Sequence, residues 1–347
     1  MAAEGKLKID GGMGSGSGTV LRYALVLSAL TGRELHLFRI RARREKPGLR
    51  HQHLAAAQAV RELCGGALEG AEVGSTDLLF RPGPRLCPGH YHWDIGTAGS
   101  ASMLALNLLP LACLSPGTVK ATITGGTFQE HAPTAFYLQQ VLVPLVSAMG
   151  AGVKLELVKP GYLPQGGGEL YLEVQPDSRG LLPFYRIDPG KVQEISGTAF
   201  SSHLQDRQVS SRMAAEARKV LGYKGYRPHL AEVYDREALQ PGAAIALWAR
   251  TTTGCLLGAD AVGQPRRTSE QVGRQAARTL HRDLATGATV DRFAADQLVI
   301  FAALAAGESS YLIPQVTEHL ETNLHLVELV LGARMELKDN RVTLSPR

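Results

Sequence analysis

Cysteine is scarce in this chain of 347 residues: Cys64, Cys87, Cys113 and Cys255 stand far apart, and no C-x-x-C pair occurs. That spacing argues against a zinc site or a disulfide framework and fits a reducing cytosol. Aromatic residues make up only 6%, so platforms for stacking bases must be few. No apolar run reaches the roughly 18 residues that a membrane span needs. The start, Met1-Ala2-Ala3-Glu4-Gly5-Lys6, lacks the basic-then-apolar layout of a signal peptide. The glycine run near the N-terminus lacks a Gly-Lys-Ser/Thr ending, so it is not a P-loop. These absences predict a cytoplasmic protein with no membrane partner.

Basic residues are plentiful and clustered. A net charge of +5 fits a polyanionic partner without demanding one. Six of the twelve residues from Arg39 to Arg50 are Arg or Lys, with one acid, Glu45, among them. Pro47-Gly48 then breaks the chain and a helical pattern starts near Gln52. Guanidinium groups bind phosphate bidentately, and free helical N–H groups point at it. The same run also reads as a solvated strand edge. The glycine run itself, Asp10-Gly11-Gly12-Met13-Gly14-Ser15-Gly16-Ser17-Gly18-Thr19, precedes a helical pattern at Val20–Leu30. It suits either a flexible turn or a close backbone approach to phosphate.

One pattern recurs three times: a helix ends on glycine, and two alternating strands follow. The copies are Leu54–Leu63 with Leu68–Val73 and Leu78–Phe80, Phe136–Ala148 with Val153–Val158 and Glu169–Val174, and Leu324–Leu331 with Arg334–Leu337 and Arg341–Leu344. Glycine ends a helix because the left-handed C-terminal position strains it least, and period-2 alternation marks the strands. The larger gap between the second and third copies leaves room for a small extra domain. Strands near Val192–Phe200, Ala243–Ala249 and Gly254–Ala259 and helices near Asp206–Leu221 and after Thr268 fill it. Thr268 and Gln271 are spaced as a capping box. The fold class is therefore α/β (α+β): residues 1–185 and 285–347 form a repeat-built domain, and 186–284 an inserted α/β domain.

The basic run resembles a family signature. Ile40-Arg41-Ala42-Arg43-Arg44-Glu45-Lys46-Pro47-Gly48-Leu49-Arg50-His51-Gln52-His53-Leu54 is similar to the I-R-A-x-R-x-x-P-G-L-x-x-Q-H-L element of the RNA 3′-terminal phosphate cyclases. Further elements keep the family order: the glycine run with Leu21 and Arg22, Gly96-Thr97-Ala98-Gly99-Ser100, Gly161–Glu169, and Asp291-Arg292-Phe293-Ala294-Ala295-Asp296-Gln297-Leu298. The last is Thr317-Glu318-His319-Leu320-Glu321-Thr322-Asn323, matching H-L-x-T-N. By composition alone, 161–169 reads equally as a hairpin loop and 291–298 as an amphipathic helix with Phe293 and Leu298 in the core.

The resemblance implies three repeats like the C-terminal domain of a translation initiation factor, with a smaller insert. It implies ATP and a divalent cation, Mg²⁺ or Mn²⁺, as cofactors, and RNA bearing a 3′-phosphate as partner. It places the nucleophile at His319, the nucleotide against Phe293, Ala294, Ala295, Asp296 and Gln297, and the phosphates or RNA end against Arg22, Arg41, Arg44 and Gln52. Four positions depart from the family pattern, one of them Ser17, where a glycine is usual. Ser15 stands where an acid helps hold metal, Thr19 where glutamine is usual, and Leu106 where a glutamine contacts nucleotide. Asp10 is a nearby acid that would have to compensate. Two other classes remain open: a non-catalytic RNA-binding relative, which would lack the histidine, and an enolpyruvyl-type transferase, also built from repeated α/β modules.

Overall fold

The computed structural model describes residues 5–347; the leader reading at Met1–Glu4 lies outside them. β1 (Leu7–Asp10) enters the glycine-rich turn, which ends at Ser17, the N-cap of α1 (Gly18–Thr31). β2 (Leu35–Phe38) follows, then the basic run, α2 (His51–Cys64), β3 (Ala67–Glu69) and β4 (Leu78–Arg81). The basic run is a string of turns rather than a strand. The four strands form one sheet in the order β1-β2-β4-β3, with β1 and β2 parallel and the other pairings antiparallel.

The chain then forms β5 (Gly89–Asp94), α3 (Ala101–Cys113) and β6 (Val119–Gly125). The next helix is interrupted: α4 (Ala135–Tyr137) and α5 (Val143–Ser147) flank a π-helical turn at Leu138–Leu142. β7 (Gly152–Lys159) and β8 (Gly168–Gln175) complete a second sheet, ordered β5-β6-β8-β7.

A short strand, β9 (Tyr185–Arg186), precedes a separate group: β10 (Val192–Ser202), α6 (Val209–Gly222), β11 (His229–Asp235), β12 (Gly242–Thr251), β13 (Leu256–Val262) and α7 (Ser269–Leu284). Its sheet runs β11-β10-β12-β13. Thr268 caps α7 as expected, its hydroxyl accepting from the Gln271 amide. The sequence reading missed β11, an edge strand whose residues are mostly exposed and so lack an apolar alternation.

α8 (Arg292–Leu304), β14 (Ser309–Leu312), α9 (Glu318–Leu331), β15 (Arg334–Lys338) and β16 (Arg341–Ser345) close the chain. β14 pairs back with β9, giving the order β9-β14-β16-β15. In every sheet one end pairing is parallel and the other two are antiparallel. Helices α1, α2 and α9 end on Gly32, Gly65 and Gly332, each left-handed at φ 67, 64 and 68°.

Two apolar cores result. The larger buries α1, α2, α3, α8 and α9 against the β1–β4 sheet, the β5–β8 sheet and the β9-β14-β16-β15 sheet. The smaller lies between the β10–β13 sheet and α6 and α7. Among the described residues no helix is long and apolar enough to cross a membrane.

Candidate active site

Four helix N-termini are tied together by side chains. Gly18, the first residue of α1, lies so close to α2 that an added Cβ would be 2.5 Å from His53 Nε2. Thr19 Oγ1 is 3.3 Å from Nδ1 of His319 in the first turn of α9. Gln52 Oε1 accepts the Ser100 amide at 3.3 Å, at the cap of α3. Hydroxyl caps fix these ends: Ser17 on α1, Ser100 on α3 and Thr317 on α9. Uncapped N–H groups and helix dipoles make such a convergence favourable for an anion.

The glycine turn has two left-handed positions, Gly14 at φ 49° and Gly16 at φ 52°. Its far side rests on α9, where the Ser15 amide donates to Thr322 Oγ1 at 3.0 Å. Its outer side carries Arg43, whose Nη1 donates to the Gly14 carbonyl at 2.6 Å.

His319 is half-buried at the centre of this arrangement. Burial first, then Arg22 and Arg44, hold its pKa below the ordinary value. The imidazole is thereby kept neutral, the form in which it can act as a nucleophile. Arg22 Nη2 donates to Thr19 Oγ1 at 3.1 Å and its Nη1 to Met103 Sδ at 3.2 Å. Burial lowers its pKa to about 10, with Asp296 acting in the opposite sense. A guanidinium held only by a neutral hydroxyl and a thioether suits an anionic ligand.

The other expected residues divide. Arg44 is exposed and within electrostatic reach of His319. Arg41 turns back on its own loop, donating from Nη1 to the carbonyls of Lys46 at 2.8 Å and Gly48 at 2.9 Å, so those bonds brace the basic run. Phe293 is exposed and meets Tyr137 edge-on, 6.2 Å between centroids. The side chains of Ala294 and Ala295 are in the core, at 0% and 1% exposure. Asp296 is buried beside Arg22, and burial pushes its pKa up to about 7. Its carbonyl accepts from the Tyr23 hydroxyl and from Asn323 Nδ2, tying α8 to α1 and to α9. Gln297, Arg22, Leu106 and Asn107 line a cavity of about 20 Å³, room for one water.

Sequence reasoning gave no role to Thr322 or Asn107 and left His53 as a motif match. Thr322 falls within the H-L-x-T-N match, which is the signal the sequence offers for it. His53 is buried neutral, its pKa lowered to about 3 by burial and then by Arg41, Arg22 and Arg50. Its Nδ1 accepts the Arg50 amide at 3.2 Å. Asn107 is 5% exposed and neither amide atom has a protein partner, which no spacing in the sequence signals.

The geometry defines a class: a protein with a neutral imidazole beside unpaired guanidinium groups and converging helix N-termini, suited to phosphate-bearing ligands. Comparison then gives the family. The family profile described as RNA 3′-terminal phosphate cyclase matches residues 13–337. Relatives named RNA 3′-terminal phosphate cyclase include one from Caldivirga maquilingensis, 40% identical over 98% of both chains. Others are from Pyrobaculum neutrophilum, 37% identical over 96% of this chain and 95% of its own, and Nitrosospira multiformis, 37% identical over 95% and 93%. The chain belongs to the RNA 3′-terminal phosphate cyclase family and is an enzyme of that family. A solved enolpyruvyl transferase, NikO from Streptomyces tendae, aligns at a TM-score of 0.23 and 11% identity, too low to carry an argument.

Proposed function

We propose that the chain uses ATP to convert an RNA 3′-terminal phosphate into a 2′,3′-cyclic phosphate through a covalent His319–AMP intermediate. The observation that carries this is the setting of His319: neutral, 3.3 Å from Thr19 Oγ1, with Arg22 on the other side of that hydroxyl.

Arg22 can only donate, so Thr19 Oγ1 accepts from it. We assign the proton of the imidazole to Nδ1, donating to the second lone pair of Thr19 Oγ1. Nε2 is then the nucleophile. It attacks the α-phosphorus, a P–N bond forms, the α–β phosphoanhydride breaks and pyrophosphate leaves. An oxygen of the RNA 3′-phosphate then attacks the same phosphorus, freeing His319 and giving RNA(3′)pp(5′)A. The neighbouring 2′-hydroxyl attacks the 3′-phosphorus, loses its proton and expels AMP. Positioning and charge neutralisation govern such steps. Arg22 and Arg44 supply charge, Gln52 and Arg41 hold the surrounding loops, and Phe293 and Gln297 face the nucleotide with Asp296 buried behind Gln297. Contacts to backbone phosphate favour little sequence preference in the RNA.

In this reading the three sheets that share the large core are copies of one α-ββ module of the initiation-factor kind. They form a catalytic domain of 1–185 and 285–347, with 186–284 inserted. The divalent cation the family implies fits this loop poorly. Ser15 Oγ bonds Ser17 Oγ at 2.9 Å, and Asp10 is committed to the Gly12 amide at 2.8 Å and to Arg39 at 2.9 Å. Among the described residues no group of three or more His, Cys, Asp or Glu side chains stands ready to hold a metal. No step is therefore routed through a protein-held ion.

The test is labelling with ATP radiolabelled at the α-phosphate. Wild type should take up an acid-labile label and His319→Ala none. An unlabelled wild type would leave the non-catalytic RNA-binding reading.

A further inference from the structure

Arg43 lies on the outer side of the glycine turn, in which Ser15 stands where the family pattern has an acid. Its aliphatic stem covers Gly16, where an added Cβ would lie 2.8 Å from Arg43 Cβ, Cγ and Cδ, and its Nη1 donates to the Gly14 carbonyl at 2.6 Å. On the opposite side Thr322 closes the turn, so the loop lies between a guanidinium and the helix that carries His319. None of the ion pairs formed among the described residues involves Arg22, Arg43 or Arg44. Arg43 on the turn and Arg22 beside Thr19 thus form no ion pair, and Arg44 lies within electrostatic reach of His319. The one acid close to Arg22, Asp296, is buried and already bonded to Gln297. The acid nearest in sequence, Asp10, is held by Arg39.

We propose that this enzyme neutralises the ATP phosphates with arginine, Arg43 on the outer face of the glycine turn and Arg22 on the inner, and lends no carboxylate to a divalent cation. The inference rests on the ATP reading above and deepens it. A hydroxyl such as Ser15 is a weak ligand for Mg²⁺ or Mn²⁺, whereas hard cations take carboxylates. Any ion arriving with ATP is then held by phosphate and water oxygens. A guanidinium fork matches phosphate geometry bidentately and carries its charge at every working pH. ATP binding in this protein is accordingly almost independent of divalent metal, and a carboxylate placed at Ser15 introduces that dependence.

The experiment measures binding of α,β-methylene-ATP, which cannot lose pyrophosphate at the attacked bond, with excess EDTA and with Mg²⁺ or Mn²⁺. Wild-type Kd values should agree within about threefold between the two conditions. Arg43→Ala should weaken binding about tenfold in EDTA, the loss of one charge-assisted contact. Ser15→Glu should bind weakly in EDTA and recover with metal. Arg43 is exposed but braces the turn through the Gly14 carbonyl, so thermal unfolding of each variant separates a lost phosphate contact from a loosened fold. A wild type that loses binding more than about tenfold in EDTA, with Arg43→Ala no weaker than wild type there, overturns the inference while leaving the ATP reading in place. Absence of binding in both conditions overturns the ATP reading itself, and this inference with it.

Discussion

Thr19 Oγ1 stands between two functional groups, 3.1 Å from Arg22 Nη2 and 3.3 Å from His319 Nδ1. One small hydroxyl therefore couples the buried cation on α1 to the imidazole on α9, 300 residues away in sequence. Thr19→Val keeps the shape and removes the acceptor. Label transfer from ATP to His319 should slow by roughly 10–100-fold, the cost of a misaligned nucleophile. Thr19→Ser should stay near wild type, since it retains the hydroxyl. Equal labelling rates for Thr19→Val and wild type would show that Thr19 does not orient the ring.

The glycine turn gives a sharper structural contrast. At Gly14 the φ is 49° and an added Cβ would stand 2.2 Å from Thr322 Oγ1. That hydroxyl accepts the Ser15 amide and donates to the Glu318 carbonyl at 2.5 Å, one residue before His319. Gly14→Ala should therefore destabilise by about 1–3 kcal/mol and also reduce His319 labelling. Gly32→Ala is the control, since φ there is 67° but nothing lies within 4 Å of an added Cβ. It should cost about 1 kcal/mol of backbone strain and leave labelling unchanged. The two effects are separated by thermal melts run beside the labelling assay.

The sequence reached some parts of this arrangement and not others. The glycine ends of α2 and α9 were legible because that signal is local, and the α7 capping box was found to the residue, whereas the helix of the second copy ends at Ser147 with a right-handed Ala148 and not on glycine. The interruption at Leu138–Leu142 was not legible, because Pro144 in the first turn of α5 marks a disturbed helix without saying which residues wind wider. The position of His319 at the start of the last helix was legible through the motif around it. The inward turn of Arg41 was not, since it depends on where the Lys46 and Gly48 carbonyls point. Nor was the burial of Ala294 and Ala295, which follows from the packing of α8 into the large core. Spacing placed the cations near one another, but which of them face the ligand is a property of the folded loop.

Asp296 should leave its mark on stability. Its folded pKa of about 7 lies above the ordinary carboxyl value near 3.8, chiefly because burial disfavours the charge. The folded state therefore holds the proton to higher pH than the unfolded chain. Below both values the two states are protonated alike and ionisation costs nothing. As pH rises past the lower value the unfolded chain gains by ionising, and above about 7 the full cost is present. That cost is on the order of a few kcal/mol. Asp296→Asn carries no such penalty and can still accept from Gln297. Its Tm relative to wild type should rise between pH 5 and pH 8. A difference that does not change with pH would mean that Asp296 titrates normally.

The pH dependence of adenylylation tests the electrostatics at His319 directly. Burial, Arg22 and Arg44 all lower its pKa, and only the neutral ring can attack phosphorus. The rate should therefore rise with pH through that lowered pKa and then level off. Arg44 is exposed, and its charge contributes to the lowering without any contact that the fold needs. Arg44→Gln should move the acid limb of the labelling profile to higher pH, toward the ordinary histidine value, while Tm stays constant. High salt should move the wild-type limb in the same direction, because screening weakens an exposed charge more than a buried one. Salt should also move the Arg44→Gln limb less than the wild-type limb, since the screened cation is already gone. Turnover of RNA 3′-phosphate ends by Arg44→Gln should fall further than its self-labelling at alkaline pH, because the same guanidinium is assigned to the RNA end. Identical acid limbs in the two proteins would remove Arg44 from the field at His319, and an equal loss of turnover and of folded protein would remove it from the RNA end as well.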